Sequence, residues 1–224
     1  MHLRNVILAA IALSTAAFAQ PNATLDTPFQ VRYAANLNIG ESYIDITNTG
    51  ANGAPLLGPG FGGASGNICA NVYAFDPGEE LISCCSCLIT PDQTVNLGVN
   101  ADLTVKTLTG VVPTSVTVKI LATLAGTGGS GSSCTNSAAQ VQNPATIIVS
   151  GMAAWGTTLH ATPTAGAYAT TETPFTPSTL SSGAAGTNNE LQSIGGRCAA
   201  ILGNGSGFGV CTSCRAGALG ASKQ

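Results

Sequence analysis

Charged residues are scarce in this chain. Asp, Glu, Lys and Arg make up 8% of its 224 residues, whereas about 25% is usual for soluble domains. Only seven residues are Lys or Arg. Nucleic-acid binding needs clustered basic residues that neutralise phosphates, so we expect no nucleic-acid partner. A weakly charged surface also repels other copies of the chain only slightly, which favours self-association.

Long apolar runs are missing as well. The apolar stretch from Val6 to Phe18 is shorter than the roughly 20 residues that a membrane-spanning helix needs. It follows the basic residue Arg4 and ends in small residues before Gln20, which is the pattern of a cleavable signal peptide. We therefore predict a signal peptide over residues 1–19 and a single mature domain over 20–224 without a membrane span. That domain is expected to be secreted, extracellular or at the cell surface, with the periplasm as the alternative.

Residues that could carry catalysis are few. His160 is the only histidine that remains after signal-peptide cleavage, and a lone histidine beside Trp155 is more often packed or at the surface than a general base. Serine is abundant, but no G-x-S-x-G motif surrounds it. Glu79 and Glu80 fall in a predicted turn, where a solvated pair is the simpler interpretation. We therefore predict a protein that is not an enzyme and has no cofactor or metal site.

Alternation of β-branched and polar residues predicts strands along most of the chain. The pattern is clearest in residues 42–48, 94–110 and 114–126, and residues 144–163 fit a pair of strands around Ser150 and Gly151. Gly-rich stretches at 50–67 and 126–133 are interpreted as long loops. Strands separated by such turns predict a mainly β fold, an antiparallel β-sandwich with a barrel as the alternative.

One short helix is predicted near the C-terminus, within a segment 187–224 that also holds a cysteine-rich tail. Thr187 and Glu190 have capping-box spacing, and Gly203 can end the helix. Its apolar face consists of Leu191, Ile194, Cys198, Ile201 and Leu202.

Eight cysteines give the chain its most distinctive chemistry. Residues 67–75 and 81–90 flank the turn sequence DPGEE and predict a β-hairpin. In that hairpin Cys85 and Cys87 share one face and Cys84 points to the other. Cys69 is expected opposite Cys85 or Cys87 and bonded to one of them. The other cysteines are Cys134, Cys198, Cys211 and Cys214.

Structural disulfides are the favoured use of these cysteines, because an even number of them follows an export signal. A four-sulfur zinc site and redox chemistry at the C-x-x-C of Cys211 and Cys214 are the alternatives. The sequence CCSC lacks the spacing of a zinc knuckle, and no βαβ pattern surrounds the C-x-x-C. We expect no free thiol in the mature protein.

Six segments carry a resemblance to known proteins. They are residues 40–63, 67–75, 81–90, 154–163, 171–180 and 203–217, and they include the sequences GFGG, CCSC and VCTSCRAG. Together they resemble segments of a family of small, cysteine-rich, secreted bacterial proteins. The resemblance implies export and a bacterial source, and it supplies no catalytic residue.

Three functions from different classes fit these features. The first is a structural subunit of a pilus-like extracellular filament or coat, favoured by the low charge, the disulfides and the missing catalytic set. The second is a secreted carbohydrate- or ligand-binding module, in which aromatic rings offer stacking faces. The third, a secreted hydrolase, has the least support. The candidate stacking residues are Tyr43, Tyr73, Trp155 and Tyr168.

The mature N-terminus offers a mechanism for self-assembly. Within residues 20–35, Phe29, Val31, Tyr33 and Ala35 fit a strand pattern. This strand either pairs within its own sheet or is donated to a neighbouring subunit, a design similar to that of strand-donating pilins. Head-to-tail donation propagates without closing and would produce a homopolymer.

Overall fold

Two antiparallel sheets make up most of the fold. The computed structural model describes residues 27–56, 65–141, 147–181 and 189–212, so the predicted signal peptide lies outside the described residues. The elements within these ranges are β1 Phe29–Ala34, β2 Tyr43–Asn48, β3 Ile68–Phe75, β4 Leu81–Ile89, β5 Thr94–Gly98, β6 Val116–Leu124, β7 Met152–Ala161, β8 Tyr168–Pro174, β9 Thr176–Pro177 and α1 Glu190–Gly203.

The two sheets pack face to face as a β-sandwich, which confirms the predicted mainly β fold. The five-stranded sheet has the order β4-β3-β6-β1-β9, and the four-stranded sheet has the order β5-β2-β7-β8. Neither order closes on itself among the described residues, so the barrel alternative is not supported. Inward side chains of both sheets share one apolar core, which includes Ile44, Ile46, Val72, Ile89, Leu97, Ile120 and Met152.

The predicted hairpin of β3 and β4 is confirmed and is the most deeply buried part of the fold. All eight residues of β3 are buried, because one face packs on the four-stranded sheet and the other packs under α1 and residues 136–141. The turn is fixed by the Asp76 carboxylate, which accepts hydrogen bonds from the N–H groups of Gly78 and Glu80 at 2.9 Å. The hairpin therefore forms the middle layer of the molecule.

The helix begins two residues later than the capping box predicts. Its N-cap is Asn189, whose side chain accepts a hydrogen bond from the Gln192 N–H at 2.9 Å, whereas Thr187 lies outside the described residues. Ile194, Cys198 and Ile201 are buried on its inner face. The predicted apolar face and the end at Gly203 are confirmed.

Two strand predictions need correction. The predicted strand pattern over 94–110 ends at Gly98, and Val99–Leu103 forms a short helical turn. The buried Asp102 carboxylate holds this turn by accepting from the Gly98 N–H at 2.8 Å. Of the predicted pair of strands in 144–163, the described residues 147–163 contain one, β7, and before it Ile148 makes an isolated bridge to Thr123. The positive φ of Gly151, 98°, separates that bridge from β7.

The N-terminal strand pairs within its own sheet. β1 runs antiparallel to β6 along its whole length and contacts the two-residue β9 on its other side. The polar side chains of β1, Gln30 and Arg32, face the four-stranded sheet. The Gln30 amide donates to the Met152 carbonyl at 2.7 Å. Phe29 and Val31 pack toward the helix layer, and Tyr33 is 62% exposed. Exchange of this strand between subunits stays a prediction.

Three disulfides join the described cysteines, and the predicted partner of Cys69 was wrong. Cys69 is bonded to Cys134, Cys84 to Cys198 and Cys85 to Cys211. Cys87 is also disulfide-bonded, and Cys214 lies outside the described residues.

A β-bulge explains the wrong pairing. Phe75 lies opposite Leu81, but Ala74 lies opposite Ser83, so Ile82 is an extra residue and the register shifts by one. Without that shift Cys69 would lie opposite Cys87; with it, Cys69 lies opposite Leu88. A one-residue shift turns a side chain to the other face of the sheet. Cys69 therefore faces away from the core in which Cys85 and Cys87 lie.

Substituting Cys69 tests this connectivity. In Cys69→Ala the freed thiol should be that of Cys134, identified by alkylation of the denatured, unreduced protein and peptide mass spectrometry. Loss of this bridge should lower the free energy of unfolding by about 2–5 kcal/mol. The unsubstituted protein is the control and should take up no alkylating reagent. An alkylated Cys85 or Cys87 in the variant would contradict the pairing.

Candidate ligand-binding face

The four-stranded sheet presents one face to the core and the other to solvent. In β2 the side chains of Ile44 and Ile46 are fully buried, so Tyr43 and Asp45 point outward. We call the solvent side of this sheet the outer face. Its central side chains are those of Tyr43, Asp45, Asn96, Trp155, Thr157 and Glu172.

Strand register arranges these side chains in two parallel rows. One row crosses the sheet from Asn96 through Asp45 and Trp155 to Pro174. The register extended by one residue gives the second row, in which Tyr43 lies beside Thr157, and Thr157 pairs with Glu172. Because neighbouring strands are about 4.8 Å apart, the four strands give a face roughly 14 Å wide. Trp155 lies in the first row between Asp45 of β2 and Pro174 of β8, and Glu172 lies in the second row.

Hydrogen bonds hold the polar groups of the outer face in place. The Asn96 amide donates to the Asp45 carboxylate at 2.8 Å, and the Tyr43 backbone N–H donates to the Thr157 hydroxyl at 2.8 Å. The hydroxyls of Thr47 and Thr94 are 2.7 Å apart. A carboxylate, an amide and hydroxyls are thus positioned around a partly exposed indole ring.

Three of the four aromatic residues predicted from the sequence to offer stacking faces lie on this outer face. Tyr43 is 45% exposed and Tyr168, near the tip of the β7–β8 hairpin, is 50% exposed. Trp155 is half-buried, and Tyr168 pairs with Ala161, six positions further along β7. Tyr73 is the exception, because it lies on the helix side of β3 and its hydroxyl donates to the Ala139 carbonyl at 2.7 Å. Burial raises the pKa of Tyr73 above its ordinary value.

His160 lies on the opposite face of the same hairpin. Side chains alternate along β7, so His160 points to the other side from Trp155. It is exposed, and its Nε2 lies 2.9 Å from the Thr171 hydroxyl. Among the described residues no carboxylate forms an ion pair with His160 or orients its ring as in a catalytic triad.

A groove between the β3–β4 turn and α1 gathers a large share of the chain's few charges. Lys119 forms an ion pair with Glu190 at 2.5 Å and lies 4.7 Å from the ring centre of Phe75. Arg197 donates to the Glu79 carbonyl at 2.7 Å. These bonds join the helix to the sheet, which is a sufficient structural role for the groove.

Several acidic residues have local structural roles or are exposed to solvent. Asp76 fixes its own turn and Asp102 its own helical turn, and Glu79 and Glu80 are exposed. No group of three or more His, Cys, Asp or Glu side chains within the described ranges could hold a metal ion. In the same ranges no helix is both long and apolar enough to cross a membrane.

Comparison with known proteins finds no family model, no curated protein sequence and no solved structure that matches this chain.

Proposed function

We propose that this protein is a secreted carbohydrate-binding module that binds an extended saccharide chain on its outer face. The observation that supports the proposal is the placement of Tyr43, Trp155 and Tyr168 on one solvent-exposed sheet surface. The disulfides agree with a location outside the cytoplasm, since such bonds persist in oxidising compartments.

The chemistry of the outer face suits a sugar. A pyranose ring presents C–H groups on its faces and hydroxyls around its edge, so it pairs with an aromatic ring flanked by hydrogen-bonding groups. Trp155 supplies the ring, and Asp45, Asn96 and Glu172 supply donors and acceptors around it. A flat surface that is open at both ends fits a polymer chain, whereas small ligands are usually enclosed in concave pockets.

Trp155 is both the proposed central contact and the single tryptophan of the chain. Its fluorescence should therefore change when soluble oligosaccharides bind. Trp155→Ala should weaken retention on the matching insoluble polysaccharide by at least about tenfold, which corresponds to about 1.4 kcal/mol. Cellulose, chitin and peptidoglycan are suitable probes.

His160→Ala is the matched control for that experiment. It removes an exposed ring from the same hairpin but from the opposite face, so it should leave binding unchanged. Circular dichroism verifies that both variants are folded. Equal retention of Trp155→Ala and the unsubstituted protein, or retention by none of the polysaccharides, would refute the proposal.

A self-associating structural subunit is the second candidate, and a specific apolar patch favours it. We define the patch as Val105, Leu108, Val111, Val112 and Phe208, which are 43–66% exposed. The patch borders the outer edge of β4, where the Leu108 N–H donates to the Ile82 carbonyl at 3.0 Å. The Gly209 N–H donates to the Lys106 carbonyl at 2.6 Å, which brings the segment of Phe208 next to that of Val105. Clustered exposed apolar side chains mark interaction sites on many proteins.

Sedimentation velocity over a range of concentrations tests the second candidate. If the patch joins subunits, the double variant Val111→Ser with Val112→Ser should sediment as a monomer at concentrations where the unsubstituted protein is oligomeric. Leu56→Ser, at a 97% exposed position outside the patch, is the control and should associate normally. A monomer at all concentrations without any substitution would remove this candidate.

A further inference from the structure

A buried arginine without an acidic partner lies between the two sheets. Arg32 of β1 is only 8% exposed. Its Nη2 donates to the Thr158 hydroxyl at 2.7 Å, and its Nε donates to the Thr173 hydroxyl at 3.4 Å. Its Nη1 is buried without a hydrogen-bond partner. The only ion pair within the described residues is that of Lys119 and Glu190, so neutral hydroxyls are the partners of this guanidinium.

The fold provides a shaped slot for this side chain. The guanidinium lies flat against the backbone of Gly156 in β7, where a Cβ atom would come within 2.6 Å of its Cζ and Nη1. Any side chain at position 156 would therefore displace it. Arg32 is held in one place by the Gly156 backbone beneath it and by hydroxyls from two neighbouring strands.

The slot opens into a cleft at the side of the sandwich. The chain crosses from the four-stranded sheet at Pro174 to the five-stranded sheet at Thr176. This crossing covers the side of the sandwich only as far as β9. Beside this crossing lies a cleft of about 560 Å³. Its polar lining consists of Arg32, Tyr33, Thr117, Thr158, Thr173, Thr176 and Ser178, without an acidic residue.

The uncompensated positive charge of Arg32 favours the binding of an anion in this cleft. An arginine side chain stays protonated in proteins, and a buried charge is strongly unfavourable unless it is paired. Burial lowers the pKa of Arg32 below its ordinary value, which is the expected sign for a charged form that lacks compensation. Because Thr158 and Thr173 accept from Arg32, their own O–H groups remain available as donors toward the cleft.

We propose that this cleft is an oxyanion-binding site in which Arg32 and the hydroxyls of Thr158 and Thr173 bind a carboxylate or sulfate group. A planar guanidinium matches the geometry of such groups better than an ammonium does. The site is separate from the outer face, because Arg32 faces the interior between the sheets and Trp155 faces solvent. It therefore does not depend on the proposed carbohydrate-binding function.

Thermal unfolding in millimolar sulfate, with chloride of equal ionic strength as the reference, tests the site. Sulfate should raise the Tm of the unsubstituted protein by roughly 5 °C or more at saturation. Arg32→Met should unfold at an equal or higher temperature in chloride, because a buried unpaired charge has been removed, and should lose the sulfate-specific rise. General salting-out by sulfate acts on both proteins alike and cancels in the comparison.

A second variant and a second pair of anions complete the experiment. Arg32→Lys keeps the charge without the planar fork, so at least half of the sulfate-specific rise should be lost even if Arg32→Met fails to fold. Acetate compared with glucuronate distinguishes a free anion from a carboxylate carried by a sugar: equal rises indicate the former, and a larger rise with glucuronate indicates the latter. No sulfate-specific rise in the unsubstituted protein, or an equal rise in Arg32→Met or Arg32→Lys, would overturn the proposal.

Discussion

The divergence of two adjacent cysteines in β4 organises the whole molecule. Side chains alternate along a strand, so Cys84 points away from the core and Cys85 points into it. Cys84 bonds to Cys198 and thereby fastens α1 over the five-stranded sheet, while Cys85 bonds to Cys211 and draws the following C-terminal segment into the core. These bridges span 114 and 126 residues of sequence, so they restrict the unfolded chain strongly.

The two sheets differ in how many of their faces are covered. The five-stranded sheet is covered on both sides, which explains why β3 is buried at every residue. Within the residues that the structure describes, the four-stranded sheet is covered on one side only, so aromatic and polar side chains of its outer face are exposed to solvent. The outer face combines the rings of Tyr43 and Trp155 with the carboxylates of Asp45 and Glu172. Other charged residues of the chain make the contact between α1 and the sheet or fill the slot of Arg32.

Local patterns in the sequence were sufficient to predict the hairpin, the helix and the opposite directions of Cys84 and Cys85. Each depends on residues close together in the chain: the DPGEE turn, the apolar spacing of the helix and the two-residue period of a strand. The partner of Cys69 could not be predicted in this way. It depends on the extra residue Ile82, and the position of a bulge is set by the packing of the whole sheet rather than by a local motif.

The other differences between the sequence-based predictions and the structure arise from contacts between residues far apart in the chain. The strand pattern after Gly98 gave way to a helical turn because the Asp102 carboxylate also meets the Thr212 hydroxyl, 110 residues away. Arg32 faces inward because Gly156, 124 positions along the chain, leaves room for it. Similarly, Tyr43 and Tyr73 look alike in the sequence, and only the sheet topology shows that one is exposed and the other buried.

Amide chemical-shift mapping tests whether a saccharide binds on the outer face of the four-stranded sheet. The isotope-labelled protein would be titrated with a soluble oligosaccharide of whichever polysaccharide retains it. We expect the largest shifts on β2, β5, β7 and β8, centred on Trp155 and its neighbours Asp45 and Tyr43. Shifts concentrated instead in the charged groove around Lys119 and Arg197, with β2 and β7 unaffected, would contradict it.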